Sequence, residues 1–243
     1  MTKIPKIVHY CWFGNNPKPA SVLTYIENWK TKLPDYQIIE WNESNFDIGV
    51  CDYTKQAYKH KKFAFVSDYA RLYALYHQGG IYLDTDVEVV KSLTPLLDKA
   101  ECILGFEEKN AIATSTMLAS AGNPFVFKFM RSYHKRKFLK ENGELDTTTN
   151  VEHLTDLLKS EGLHQNGIKQ SLSFENNRIL ILAQQYLSPY DYINLIDKAT
   201  DKTYTIHHYG NSWGGAKSNI SKKIKLLLIK VLGPNVIKRI RDM

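Results

Sequence analysis

The fold class this sequence predicts is an open, mixed and mostly parallel α/β sheet flanked by helices, followed by a basic helical tail. Three observations predict it. The chain opens with an apolar run, an amphipathic segment and a second apolar run. A long helical pattern then ends at Gly79-Gly80 and feeds directly into the apolar run IYL. Further strand-like runs recur downstream, and strands alternating with helices are the mark of parallel units.

Ile4 to Cys11 is rich in β-branched and aromatic residues and stops at Gly14, Asn15, Asn16 and Pro17, which reads as a buried strand. The spacing of Val22, Leu23, Ile26 and Trp29 predicts a helix, with Ser21 at its cap. Pro34-Asp35 is a turn, and YQIIEW (36–41) is a second strand. Phe63 to Gln78 has a period near 3.6 and ends at Gly79, since glycine takes the left-handed conformation past a helix end. IYL (81–83) is then a central strand and VEVV (87–90) a short extended piece. Strands are also expected at 102–108, 112–120 and 203–209, a helix at 124–140, and mixed helix and loop over 142–200.

The 243 residues suit one full domain, read as 1–217, with a tail at 218–243. The net charge of +7 is local: from Lys217 onward there are eight Lys/Arg and one acid, which leaves 24 basic and 24 acidic residues before it. A neutral body argues against nucleic acid as a partner. The tail mixes lysines with Ile, Leu and Val, so it reads either as an amphipathic helix on an anionic membrane or as a helix packed on the body. Cys11, Cys51 and Cys102 are far apart and read as buried free thiols. The N-terminus lacks the apolar core of a signal peptide, and no stretch reaches the ~20 apolar residues of a membrane span. The expected location is cytoplasmic, with peripheral contact at the inner face of the plasma membrane.

Asp84 and Asp86 stand one residue apart where the IYL strand ends. Side chains at i and i+2 of a strand point the same way, and ligands of open α/β sheets gather beyond the carboxyl ends of strands. Two carboxylates so placed suit Mg²⁺ or Mn²⁺ with phosphate oxygens. Asp68 and Arg71 share a face of the preceding helix and read either as an ion pair or as part of a pocket wall. Of the adjacent His207 and His208, only one can reach a given ion from a strand.

Four segments taken in order resemble a known family: IPKIVHYCWFG, NWKTKLPDYQIIEWNESNF, FAFVSDYARLYALYHQGGIYLDTDVEV and TIHHYGNSW. The family is glycosyltransferase family 32, DXD-containing sugar transferases of the GT-A fold acting in capsular and surface polysaccharide synthesis. It is similar to the catalytic core of the large clostridial glucosyltransferase toxins. Positions 140–200 match poorly, with TTTNVEHL (147–154) where the family often has Gly-Pro.

The resemblance implies a retaining hexosyl transfer from a nucleotide sugar, UDP-linked, to a glycan or lipid-linked oligosaccharide acceptor. It implies Mn²⁺ or Mg²⁺ held by Asp84, Asp86, His207 (His208 in reserve) and Ser212. It places Trp12 against the nucleobase and the backbones of Tyr10 and Cys11 at the base edge. Ser67, Asp68, Arg71, Tyr82, Asp84, Ser212 and Trp213 would hold the donor, with Asp84, Asp86 and Arg71 the catalytic set. Gly210, Gly214 and Gly215 would let the last segment close as a flap. Two other readings compete. A haloacid dehalogenase-type phosphatase would need Thr or Val where Glu88 stands, and its aspartates open the domain. A non-catalytic sugar-nucleotide-binding domain would have little use for the paired aspartates.

Overall fold

A computed structural model describes residues 4–192, 194 and 196–210. In chain order the elements are β1 (Ile7–Cys11), α1 (Ala20–Lys32), β2 (Gln37–Trp41), α2 (Asp52–Lys59), α3 (Phe63–Gln78), β3 (Gly80–Leu83), β4 (Val87–Val89), β5 (Cys102–Phe106), β6 (Ile112–Ala119), α4 (Pro124–Ser132), α5 (Asn150–Ser160), β7 (Gln170–Phe174), β8 (Asn177–Leu182), α6 (Gln184–Leu187) and β9 (Thr205–His207). Among the described residues, seven strands form one sheet in the order β2-β1-β3-β6-β5-β8-β7, and β4 pairs with β9 separately. β1 is parallel to β2 and β3, and β5 is parallel to β8; β6 and β7 run against their neighbours. Five of the seven strands therefore point the same way, the parallel majority the sequence predicts. Their carboxyl ends share one edge, and the candidate site lies there.

The two faces of the sheet bury two apolar layers, and side-chain alternation assigns each residue to its layer. Tyr82, Leu104 and Ile181 face the layer covered by α2–α5. Ile81, Leu83, Ile103 and Leu180 face the layer covered by α1, β4 and α6. Trp29 of α1 donates its indole N–H to the Val87 carbonyl at 2.8 Å, and Asn28 bonds the Val89 backbone in both directions. These bonds fix the short β4 that follows the paired aspartates. The glycine pair before β3 serves backbone geometry. Gly79 caps α3 with φ 65° and donates to the Leu75 carbonyl at 2.9 Å. Gly80 has φ 110°, and a Cβ there would lie 2.5 Å from the Ile7 carbonyl oxygen. The three cysteines are buried and in no disulfide, as expected.

Some local expectations are corrected. α1 starts at Ala20 behind Pro19 with no side-chain cap, so Ser21 lies inside the helix, and Leu23 is 50% exposed. The helix predicted over 124–140 stops at Ser132. Arg136 is extended there and turns its guanidinium inward to Asp146 at 2.7 Å, against the rings of Tyr53 and Tyr133. The stretch 142–200 holds α5 and the hairpin β7–β8, whose two turn residues Glu175 and Asn176 both take positive φ. Helix α2 carries no prediction. No helix of the described residues is long and apolar enough to cross a membrane. The tail 218–243, Ser212 and Trp213 lie outside the described residues.

Candidate active site

Asp84 follows β3 directly. Its N–H donates to the Ser115 carbonyl at 2.8 Å, and its carbonyl accepts from Val87 N–H at 3.0 Å. The DTD stretch is thus a tight turn, not the extended strand that the i, i+2 argument assumes. It still brings the carboxylates together: ligand atoms of Asp84, Asp86 and His207 all lie within 4.8 Å of one another. His207 reaches the cluster because β9 pairs antiparallel with β4, with His207 opposite Val87. His207 Nε2 sits 3.3 Å from Asp86 Oδ1. His208 points away to Glu88 at 2.9 Å, as strand alternation requires, while its backbone N–H bonds the Asp86 carbonyl at 3.0 Å.

Burial works to raise the Asp86 pKa, but the His207 charge and hydrogen bond, with the backbone N–H of Gly210, outweigh it and hold the carboxyl low. Burial conversely lowers His207, and the charge of Asp86, with Asp84 and Glu107 behind it, raises it beyond its ordinary value. Each therefore favours the charged form of the other. Two carboxylate oxygens and one imidazole nitrogen form a donor set that suits Mn²⁺ or Mg²⁺.

Behind this cluster Arg71 is buried and fully engaged. Its Nε donates to the Ser67 carbonyl at 3.2 Å and Nη1 to the Thr114 carbonyl at 2.7 Å. Nη2 meets Asp68 Oδ1 at 3.1 Å and Asp84 Oδ1 at 3.3 Å. The guanidinium also lies 4.5 Å from the centre of the Tyr82 ring, and the Tyr82 hydroxyl donates to Asp84 Oδ1 at 2.9 Å. In this arrangement Arg71 and Tyr82 act on Asp84 rather than on open space. Burial pushes Asp68 up to about 7 despite Arg71 beside it, with the Asp84 charge adding to the rise. The Ser67 hydroxyl is bonded within α3, to the Phe63 carbonyl at 3.1 Å.

The residues that the resemblance assigns to the nucleobase, Tyr10, Cys11 and Trp12, are all buried. Trp12 is 6% exposed, donates its indole N–H to the Asn16 carbonyl at 2.7 Å, and packs in the layer of Tyr10 and Trp29. The Tyr10 hydroxyl bonds Glu40 at 2.5 Å. The register of β1 with β3 ends at His9 opposite Tyr82, so the backbones of Tyr10 and Cys11 lie beyond that pairing. Burial pushes the Cys11 thiol up to about 12, which excludes it as a thiolate nucleophile near neutral pH.

Two residues of the site escape the sequence reading. Glu107 directly follows β5 at the same sheet edge as Asp84 and is 8% exposed. Tyr209 follows β9, and its ring centre lies 3.9 Å from that of His207. The signal for Glu107 is its place at the carboxyl end of a parallel-running strand; for Tyr209 there is none in the sequence.

Residues 19–103 match the family described as a glycosyltransferase sugar-binding region containing a DXD motif. An inositol phosphoceramide mannosyltransferase of Schizosaccharomyces pombe is 28% identical over 146 residues, covering 56% of this chain and 44% of that protein. An uncharacterized glycosyltransferase of Acanthamoeba polyphaga mimivirus is 26% identical over 231 residues, covering 86% and 84%. The solved PaToxG glycosyltransferase superposes with a TM-score of 0.49 at 20% identity over 65% of this chain and 70% of its own. The chain spans less than half the length of the first curated relatives it matches, 44% and 38%. Residues 19–103, which include Asp84 and Asp86, are thus similar to a glycosyltransferase sugar-binding region containing a DXD motif.

Proposed function

We propose that this protein transfers a hexose, with retention, from a nucleotide diphosphate sugar to a glycan or lipid-linked acceptor, with a divalent cation at Asp84, Asp86 and His207. The convergence of those three ligand atoms within 4.8 Å carries the reading. When bound there, the cation would stabilise the diphosphate leaving group as a Lewis acid. The chain's own part is preorganisation. Tyr82 and Arg71 fix Asp84 through one carboxylate oxygen, and His207 with the backbone of residues 208 and 210 fixes Asp86. Asp68, paired with Arg71 in the same buried cluster, is assigned the donor hydroxyls on the family resemblance. The curated relatives, mannosyltransferases of an inositol phosphoceramide, support a lipid-borne acceptor and put mannose among the donor sugars to test. A uridine donor rests on the family resemblance of Trp12, and a membrane contact on the charge of 218–243 alone.

The test is hydrolysis of a panel of UDP- and GDP-hexoses with and without Mn²⁺. Metal-dependent release of nucleoside diphosphate and free hexose is expected, lost in Asp84→Asn and Asp86→Asn with circular dichroism unchanged. Metal-independent turnover, or release of inorganic phosphate from phosphomonoesters, would reject the proposal.

A further inference from the structure

The His207 side of the cluster is supported by groups that the transfer scheme does not use. His207 Nδ1 is buried and has no hydrogen-bond partner among the described residues. Ligating histidines are usually oriented by a bond from the second ring nitrogen, so another device must hold this ring. The Tyr209 ring supplies one, lying against it at 3.9 Å between centroids with the planes tilted by 35°. Tyr192 lies against Tyr209 in turn, at 4.4 Å. Tyr209 has φ 49°, a left-handed conformation costing a non-glycine residue roughly 1 kcal/mol or more. Its hydroxyl is anchored deep in the sheet edge, donating to Glu107 Oε2 at 3.3 Å with Ser188 Oγ at 3.4 Å.

We propose that Glu107 and Tyr209 are positioning residues that hold the His207 imidazole toward Asp84 and Asp86. The Glu107 carboxylate anchors the phenol, and the phenol ring sets the plane of the imidazole. This rests on reading Asp84, Asp86 and His207 as a divalent-cation site. It links the end of β5 to a cluster otherwise built from β3, β4 and β9, and it gives a buried carboxylate at that edge a task.

The experiment is Mn²⁺ titration of the full chain, followed by electron paramagnetic resonance, on wild type, Tyr209→Phe, Glu107→Ala and Glu107→Gln. Loss of the anchor in Tyr209→Phe or Glu107→Ala is expected to weaken Mn²⁺ binding about tenfold, the cost usual for removing an outer partner of a ligating side chain. The double variant should be no weaker than either single one, because the two residues act as one unit. Glu107→Gln retains an oxygen to accept the phenol proton and should bind within about twofold of wild type. Wild-type binding by Tyr209→Phe and Glu107→Ala would overturn the support role. So would equal weakening by Glu107→Gln and Glu107→Ala, since charge rather than anchorage would then be acting. A wild-type chain that binds no Mn²⁺ would overturn the cation reading first and this role with it.

Discussion

Replacing Asp68 by Asn should stabilise the protein, and by an amount that depends on pH. Asp68 is 7% exposed, and the charged groups acting on it are Arg71 on its own helix, Asp84 at the end of β3 and Arg136 beyond α4. Burial is the largest influence and lifts its pKa from the ordinary 3.8 to about 7. A carboxyl whose folded pKa lies above its unfolded value binds more protons in the folded state between those values, so stability falls as pH rises through that window. From 3.8 to about 7 the loss integrates to about 4 kcal/mol, at about 1.4 kcal/mol per pH unit. It is absent below pH 4 and complete above pH 7. Asn mimics the protonated acid and carries no such slope. Urea denaturation of wild type and Asp68→Asn at several pH values from 4.5 to 8 isolates the effect, because every other titrating group is common to both chains. The difference should grow toward the alkaline end, while hydrolysis of the sugar nucleotide falls. Parallel stability curves would refute the reasoning. A buried acid that costs stability and is needed for turnover is what a binding role predicts; one that costs stability and changes no turnover would be a structural acid only.

Three further substitutions have definite expected outcomes. Gly80→Ala places a Cβ 2.5 Å from a backbone oxygen at φ 110° and should cost at least about 2 kcal/mol in urea denaturation. His207→Ala should weaken Mn²⁺ binding by about tenfold or more, whereas His208→Ala, whose ring pairs with Glu88, should change it less than about threefold; calorimetric titration separates them. Tyr82→Phe removes the 2.9 Å bond to Asp84 and should lower turnover by roughly three- to tenfold, corresponding to about 1 kcal/mol, with the thermal midpoint nearly unchanged because the ring stays packed.

The elements legible in the sequence are those whose signal is local. β1, α3 and β3 follow from period and from the glycines that bound them, and α3 comes out residue for residue from Phe63 to Gln78. Asp84 and Asp86 are legible as a pair because a strand end marks where ligands collect. The hairpin β7–β8 was hidden because β7 alternates only between half-buried and exposed positions, QSLSF, and its turn lacks glycine.

Taken alone, the sequence determined that two acids, one residue apart, would stand at the edge of an α/β sheet, with a histidine and an arginine elsewhere in the chain able to serve them. The tertiary structure decided which groups meet. It closed the DTD stretch into a turn, turned His207 inward and His208 outward by the pairing of β9 with β4, and enclosed Arg71 between Asp68 and Asp84. It also carried Glu107 and Tyr209, 102 residues apart in the chain, to one hydrogen bond. Periodicity and turn chemistry act between near neighbours and are written in the sequence. The pairing of distant strand ends is set by the packing of the whole sheet, and only the folded chain displays it.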